Sequence, residues 1–309
     1  MLEVLGLKKK YGELVAVNGI EFSLQPGDIF GFIGSNGAGK TTTIKMLATL
    51  LEPTTGTATL NGIDVTVDPM QIKRMIGYMP DFFGLYDDVK VWEYLDFFAT
   101  IYEVAAKEHR KVIDSVLELT DLTVKKDSFV SSLSRGMQQR LCLAKCLVHD
   151  PYMLLLDEPA SGLDPRARAE LKDLIAELGR MGKIVIVSSH ILPELSDFCN
   201  TVGIIERGEL LAFGPVRDVV KTISLTKVVE VHVLDAASEV GMWLHGKPHV
   251  LNTHMMAPTV VKVEFDGTEQ DQAEMLKALV DNGYKVTEFR EEPIDLEDVF
   301  LRVTKGEVN

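Results

Sequence analysis

The stretch from Gly34 to Thr42, G-S-N-G-A-G-K-T-T, constrains this chain more than any other. It follows an apolar run at residues 29–33 that predicts a buried strand, and it precedes residues 43–51, which predict a helix. Strand, glycine-rich loop and helix form the context in which a G-x4-G-K-[ST] spacing binds phosphate. The sequence therefore predicts a phosphate-binding loop at this point of the chain.

The residue types in the loop explain the phosphate chemistry. Glycine lets the backbone turn tightly and bring its N–H groups against phosphate oxygens without a Cβ atom in the way. The positive end of the following helix faces the same anion. In such a loop Lys40 reaches the β- and γ-phosphates, and the Thr41 hydroxyl ligates Mg²⁺. The predicted nucleotide-binding residues of the loop are Gly34, Ser35, Asn36, Gly37, Ala38, Gly39, Lys40, Thr41 and Thr42.

Composition and charge narrow the class of protein. The 309 residues suffice for one large domain or two smaller ones, and 46% hydrophobic with 25% charged residues is typical of a globular protein. No apolar segment approaches the ~20 residues that span a bilayer, and no signal peptide is visible at the N-terminus. The net charge of −14 argues against a nucleic-acid partner held through its phosphates. Cys142, Cys146 and Cys199 match no zinc spacing, which predicts reduced core thiols in a cytosolic protein.

Two acids close a second apolar run, residues 152–158. A buried strand that ends in a carboxylate is how phosphate-loop enzymes place a Mg²⁺-binding aspartate beside the phosphates, which is the role predicted for Asp157. Glu158 is predicted to accept a proton from an attacking water or to orient it. The next apolar strand, residues 183–188, is closed by Ser189 and His190. A lone histidine at a strand end is usually structural, but this one is predicted to point at the same phosphates.

Three further features allow two interpretations each. Tyr11 is either structural or stacks on an adenine base, since an aromatic face can hold one. Ser134 and Gly136 open a helix, where they form either an ordinary cap or an anion site. The aromatic run at residues 82–86 is either core or a docking surface, because large exposed apolar groups mark interfaces.

The rest of the chain is predicted as two domains. From residue 228 to residue 309 there are 16 acidic against 7 basic side chains, so most of the negative charge lies in this part. Its apolar patterns predict the βαββαβ order of ferredoxin-like domains. We therefore predict a nucleotide-binding domain over residues 1–220, with a helical subdomain at about 84–147, and a small acidic α+β domain over residues 221–309. The second domain is predicted to regulate or to stabilise a dimer, with a passive appendage as the alternative.

The apolar patterns also predict where the individual elements lie. In the first domain, strands are predicted at residues 2–8, 20–24 and 76–81, with a hairpin at 202–210, and helices at 70–76, 90–103, 108–119, 166–181 and 191–199. In the second domain, the predicted elements are 228–234, 237–245, 249–254, 259–265, 269–282 and 284–290.

The order of these motifs resembles the nucleotide-binding domain of ABC transporters over residues 2–220. The matching motifs are the phosphate loop, Leu133-Ser134-Arg135-Gly136-Met137, Leu156-Asp157-Glu158, Ser161-Gly162-Leu163-Asp164 and His190. Gly77-Tyr78-Met79-Pro80 and Leu296-Glu297-Asp298-Val299-Phe300 are similar to segments of the ATP-binding subunits of multidrug, antibiotic and sodium-efflux exporters. The resemblance implies an α/β phosphate-loop NTPase fold of the ABC type.

The resemblance also implies how the domain works. Two such domains dimerise head to tail around two ATP molecules, so that Ser134 and Gly136 of one copy contact the γ-phosphate held by Lys40 of the other. The dimer is formed by two copies of this chain or by this chain and a related ATPase. ATP with Mg²⁺ is the implied nucleotide and cofactor.

The resemblance also implies individual roles for the residues at the matched motif positions. They are Glu158 as catalytic base, Asp157 as the Mg²⁺-associated acid, His190 as the γ-phosphate switch, Asp164 as the coupling residue between sites and Tyr11 as the adenine-stacking aromatic. Asp81 stands where the family usually has Gln or Glu, and its shorter, charged side chain changes the expected reach to the metal. Arg135 and Met137 depart from the commoner Gly and Gln.

The predicted function is therefore ATP hydrolysis that drives export through a separate multi-span membrane permease. The chain is expected at the cytoplasmic face of the membrane, as a peripheral subunit that binds no nucleic acid. The alternative is a soluble ABC ATPase acting on ribosomes or DNA, although such proteins usually carry two ATPase domains, coiled-coil insertions or basic extensions. A third interpretation, a nucleotide kinase, leaves the segment from Leu133 to Met137 and Glu158 without a role.

Overall fold

The computed structural model describes residues 1–82, 84–86, 88–190, 195, 197–223 and 227–292. The chain divides into two compact units, Met1–Val216 and Arg217–Asn309. Most of the predicted helix at 191–199 and the whole segment from Leu296 to Phe300 lie outside the described residues.

The first unit is built from strands and helices in alternation. Its strands are β1 (Leu2–Tyr11), β2 (Leu14–Leu24), β3 (Ile29–Ile33), β4 (Thr55–Leu60), β5 (Ile63–Asp64), β6 (Ile76–Met79), β7 (Met153–Asp157), β8 (Ile184–Ser189), β9 (Thr201–Glu206) and β10 (Glu209–Pro215). Its helices are α1 (Lys40–Leu47), α2 (Pro69–Met75), α3 (Val91–Ile101), α4 (His109–Leu119), α5 (Arg135–Leu147) and α6 (Pro165–Arg180), and α7 (Val216–Ile223) begins at its last residue.

A six-stranded sheet carries the site. Its strand order is β10-β9-β3-β8-β7-β6, and all neighbours are parallel except the hairpin pair β9 and β10. Every residue of β3, β7 and β8 is buried, which is typical of parallel strands covered on both faces. The carboxyl ends of these three strands meet at one edge, so the sequence segments that follow them come together there.

A second, antiparallel sheet in the order β2-β1-β4-β5 packs into the same core. Both β1 and β2 are longer than the predictions 2–8 and 20–24. All of the added residues except the buried Val17 are partly or fully exposed, and their pairing is interrupted by register shifts, which hides the apolar alternation that a sequence pattern relies on. The predicted hairpin at 202–210 is confirmed, and its turn lies at Arg207 and Gly208.

The helices differ little from the prediction. Helix α1 begins at Lys40 and not at Thr43, because Gly39 at φ 114° ends the loop and caps the helix. Helices α3, α4 and α5 pack against one another within the region predicted as a helical subdomain. Cys142, Cys146 and Cys199 are buried free thiols, as predicted. Among the described residues, no helix is both long and apolar enough to cross a membrane.

The second unit has the predicted order of elements. They are β11 (Lys227–Val233), α8 (Ala237–Leu244), β12 (Val250–Ala257), β13 (Val260–Phe265), α9 (Glu269–Asp281) and β14 (Val286–Glu292). The sheet order is β12-β13-β11-β14 with antiparallel neighbours, which confirms the ferredoxin-like prediction. Its core lies between one sheet face and the two helices, where Val229, Val231, Val261, Val240 and Leu279 are buried.

Candidate active site

The phosphate loop runs from the end of β3 to the start of α1. A Cβ atom at Gly34 would lie 2.3 Å from the carbonyl oxygen of Ile205, so only glycine fits there. The buried Lys40 donates from Nζ to the carbonyl oxygens of Gly34, at 2.6 Å, and Ser35, at 3.2 Å. The Lys40 amine therefore lies against the loop whose bound phosphates it is predicted to contact.

Asp157 is held at the carboxyl end of β7 by two hydroxyl groups. Thr41 Oγ1 donates to Asp157 Oδ1 at 3.2 Å, and Ser188 Oγ donates to the same oxygen at 2.6 Å. The Asp157 residue is 1% exposed. These two hydrogen bonds compensate for the burial of the carboxylate, and the first joins two of the three predicted Mg²⁺ ligands.

Glu158 lies between two cationic or ionisable groups. Its Oε1 is 3.5 Å from Lys40 Nζ, and its Oε2 is 2.9 Å from His190 Nδ1. The residue adopts φ 50°, in the left-handed region that residues other than glycine rarely enter. The structure thus brings the predicted base, the predicted γ-phosphate histidine and the loop lysine into direct contact.

These groups open onto one cavity of about 330 Å³. The cavity is polar. Its lining includes Asp81, the residue that stands where the family usually has Gln or Glu. The lining residues are Ser35, Asn36, Gly37, Gly39, Lys40, Thr41, Thr42, Asp81, Glu158, Ser161 and His190.

Tyr78 stands just before Asp81, on β6. Burial raises its pKa to about 12, with further contributions from the negative charges of Asp157 and Asp81. The phenol is therefore neutral at physiological pH and adds no charge beside the two carboxylates.

Seven predicted residues are absent from the cavity lining. Gly34 and Ala38 belong to the phosphate loop and Asp157 ends β7, whereas the other four lie on other elements. Tyr11 ends β1, with 48% of its surface exposed and Lys9 Nζ 5.4 Å from its ring centroid. Ser134 caps α5, as predicted, by accepting a hydrogen bond from the Met137 N–H at 3.4 Å. Gly136 lies in the first turn of α5, and a Cβ there would lie 2.9 Å from Ala167 Cβ. Asp164 caps α6 by accepting from the N–H groups of Arg166 and Ala167.

Arg135 and Gln139 connect the start of α5 to the segment at residues 159–164. Arg135 Nη2 donates to the Ser161 carbonyl oxygen at 3.1 Å, and its guanidinium lies against Gly162. Gln139 Nε2 donates to the Pro159 carbonyl oxygen at 2.8 Å. The arginine that departs from the family pattern therefore has a structural contact, and that contact is with a residue that lines the phosphate cavity.

The first residue of the aromatic segment at 82–86 does not belong to the core. Phe82 is 91% exposed and Tyr86 is 58% exposed. Tyr86 still contacts Phe97 of α3 edge to face, with ring centroids 5.8 Å apart. Phe83 lies outside the described residues.

Sequence reasoning missed three residues of the site. Ser161 lines the cavity, Ser188 contacts both Asp157 and Glu158, and Glu206 accepts a hydrogen bond from Ser35 Oγ at 3.0 Å. Ser188 and Glu206 lie at the carboxyl ends of β8 and β9. The rule that led to Asp157, a polar residue at the end of a buried strand, would have found them as well.

The donor set suits Mg²⁺. The Thr41 hydroxyl and the carboxylates of Asp157 and Asp81 are hard oxygen ligands, which Mg²⁺ prefers. In the part of the chain that the structure describes, no three His, Cys, Asp or Glu side chains cluster as a metal site.

Comparison with known protein families assigns both units. Residues 17–161 match the family described as "ABC transporter", and residues 214–304 match "ATP-binding protein DrrA1-3-like, C-terminal domain". The chain is 34% identical to the Nod factor export ATP-binding protein I of Burkholderia thailandensis, over 98% of this chain and 96% of that protein. The protein with the same title from Rhizobium meliloti is 32% identical over 99% of this chain and 89% of its own length.

Solved structures resemble about 70% of the chain. One, described as the ATP-binding subunit of an ABC transporter, is 29% identical with a TM-score of 0.66, and the match covers 72% of this chain and 93% of that one. Another is a dimeric ATP-binding cassette in a post-hydrolysis state with ADP and phosphate. It is 24% identical, with a TM-score of 0.63 over 70% of this chain and 99% of its own, and the likeness concerns the fold.

Proposed function

This chain belongs to the family of ABC transporter ATP-binding proteins, and we propose that it hydrolyses ATP to drive export through a separate membrane-spanning partner. It acts as a peripheral subunit on the cytoplasmic face of the membrane. The curated relatives that span nearly the same length are titled as export ATP-binding proteins, which supports export as the direction.

One observation carries the proposal. The carboxylate of Glu158 lies 3.5 Å from Lys40 Nζ and 2.9 Å from His190 Nδ1, on a polar cavity formed by the phosphate loop. A carboxylate beside the γ-phosphate position can accept the proton of an attacking water, and the lysine and histidine can hold the oxygens of the transferred group. These roles for Glu158, Lys40 and His190 are part of the proposal.

Mg²⁺ belongs to the proposal on the same grounds. Thr41 and Asp157, with Asp81 opposite in the cavity, would hold the ion. When bound, it neutralises charge on the β- and γ-phosphate oxygens. The chain's own residues do the remaining work: the loop N–H groups bind the phosphates, and Glu158 takes the proton from water.

The working unit is a dimer in this proposal. Ser134 is exposed at the start of α5, and it is absent from the lining of the chain's own phosphate cavity. Each site would therefore be completed by Ser134 and Gly136 of a second copy or of a related chain, with Asp164 at the same face. Tyr11, exposed at the end of β1, would stack on the adenine.

The second unit is proposed to regulate or to stabilise that dimer. Its ferredoxin-like sheet forms a separate core, and its family match is distinct from that of the first unit. Removal of residues 221–309 should change dimerisation, followed by light scattering, or the ATPase rate. Equal values for both in the full and shortened chains would refute this role.

An action on ribosomes or DNA is disfavoured. The net charge is −14, and the relatives that cover nearly the whole chain carry export titles.

The test is capture of the partner from native membranes. The Glu158→Gln variant with ATP should hold the closed dimer, and proteins that co-purify from detergent extracts can be identified by mass spectrometry. A multi-span membrane protein is the expected result. Ribosomal or DNA-repair proteins without any membrane protein would overturn the proposal.

A further inference from the structure

Ser188 occupies a buried position between the two acids of the site. It lies one residue before the end of β8, and its Cα pairs directly with that of Asp157 on β7. The residue is 0% exposed. Strand β8 separates β7 from β3, which leads into the phosphate loop, so Ser188 lies at the centre of the edge where the site is formed.

The Ser188 hydroxyl uses both of its hydrogen-bonding capacities. It donates to Asp157 Oδ1 at 2.6 Å, and it accepts from the Glu158 N–H at 2.9 Å. One side chain therefore joins the carboxylate of the predicted metal ligand to the backbone of the predicted base. Alanine or valine can supply neither bond.

The hydrogen bond that Ser188 accepts holds the backbone at Glu158, whose conformation is unusual. Glu158 has φ 50°, a conformation that residues with a side chain adopt only where the surroundings enforce it. Because its N–H is held by Ser188, the peptide plane before Glu158 is fixed. That conformation in turn directs the carboxylate to Lys40 and His190.

We propose that Ser188 is a positioning residue for ATP hydrolysis. Its hydroxyl keeps the Asp157 carboxylate and the Glu158 backbone in one fixed arrangement, so that the Glu158 carboxylate faces the attacking water. The inference rests on the proposed function of Glu158, but it adds a residue that does not itself touch the nucleotide.

The experiment measures steady-state phosphate release by the purified full-length chain as a function of ATP concentration, in the presence of Mg²⁺. Ser188→Ala should lower kcat about tenfold or more, since one or two buried hydrogen bonds are lost, while KM for ATP changes less than about threefold. Ser188→Thr keeps the hydroxyl and should retain most of kcat. The valine side chain has nearly the shape of threonine but no hydroxyl, so Ser188→Val should lower kcat as much as Ser188→Ala does.

Thr120→Val is the matched control. Thr120 is 1% exposed and its hydroxyl donates to the Val116 carbonyl oxygen at 2.7 Å, at the end of α4 and outside the cavity lining. This variant also loses a buried hydroxyl bond, and it should lower the melting temperature without changing kcat or KM.

The outcomes separate the possibilities. Equal kcat in the threonine and valine variants, or an alanine variant that matches Thr120→Val, would overturn the positioning role. Failure of the alanine and valine variants to fold or to bind a fluorescent ATP analogue would also overturn it, because Ser188 would then be structural. A wild-type chain that binds no ATP would instead refute the proposed function itself.

Discussion

The two parts of the chain that are predicted to contact ATP are built in different ways. We call residues 34–41, 157–158 and 188–190 the phosphate edge, and residues 134–136 and 161–164 the Ser134 face. In the phosphate edge, Lys40, Asp157 and Ser188 are all below 6% exposed and every one of them is hydrogen-bonded within the edge. In the Ser134 face, Ser134 and Asp164 are exposed and serve as helix caps.

The difference follows from the cost of burying charge. A buried carboxylate or ammonium group is stable only where partners replace its water, so the phosphate edge has to be assembled inside one folded chain. A serine at a helix start loses little when it stays in water. One half of the proposed site is therefore preorganised by the fold, whereas the other half is an exposed surface that the proposed second chain would contact.

The largest expected effect is at the proposed base. Glu158→Gln keeps the size of the side chain but removes the proton acceptor, so kcat should fall about 10²- to 10⁴-fold while ATP binding persists. Phosphate release measures kcat, and equilibrium binding of a fluorescent ATP analogue measures the affinity for ATP. Glu118→Gln, at an exposed position of α4, is the control. A Glu158→Gln chain with more than a tenth of the wild-type rate would contradict the assignment.

Two alanine substitutions test how tightly the phosphate edge is packed. At Gly34 a Cβ atom would meet the Ile205 carbonyl oxygen at 2.3 Å, whereas at Gly37, with φ 84°, it would meet nothing within 4 Å. We expect Gly34→Ala to lower the free energy of unfolding by about 3 kcal/mol and Gly37→Ala by about 1 kcal/mol. Urea denaturation gives both values. Similar losses would show that the loop relaxes around either side chain.

The Ser134 face should show the opposite pattern, with little effect on stability and a clear effect on turnover. Ser134→Ala removes a long cap bond and should cost about 0.5–1 kcal/mol, but it should lower kcat about tenfold if, as proposed, the serine also contacts the nucleotide of the second chain. Thr268→Ala is the matched control, since Thr268 caps α9 in the second unit. If both variants lose only stability, Ser134 is a cap and nothing more.

The smallest expected effect is on how the stability of the fold depends on pH. Burial beside Asp157 and Asp81 raises the pKa of Tyr78 to about 12. Because the folded state favours the neutral phenol, its contribution to stability is complete below the unfolded pKa of about 10 and is lost as the pH rises towards 12. Tyr78→Phe should therefore unfold less readily than wild type across this range. Identical alkaline unfolding curves would show that the Tyr78 hydroxyl does not titrate with folding.

The phosphate edge was more predictable from sequence than the Ser134 face. Buried strands, glycine spacing and terminal acids are local patterns, and they led to Lys40, Thr41, Asp157 and Glu158. Ser188 also ends a buried strand, so the same local rule marks it as a candidate, but its link to Asp157 and Glu158 depends on β8 lying beside β7, which no local spacing reveals. For Ser134, the sequence predicts the helix cap, but one chain does not contain the surface that completes its proposed contact.

The most direct measurement of the central claim is complementation between two inactive chains. Lys40→Ala removes the lysine of the phosphate edge and keeps Ser134, whereas Ser134→Glu keeps the edge and places a negative charge on the opposite face. In an equal mixture about half of the dimers are mixed, and each mixed dimer has one intact site.

If each site is shared between two chains, each variant alone should be nearly inactive and the mixture should recover up to about a quarter of the wild-type ATPase rate. Light scattering should confirm that dimers form in the mixture. A mixture with dimers that is no more active than either variant alone would contradict a site shared between two chains.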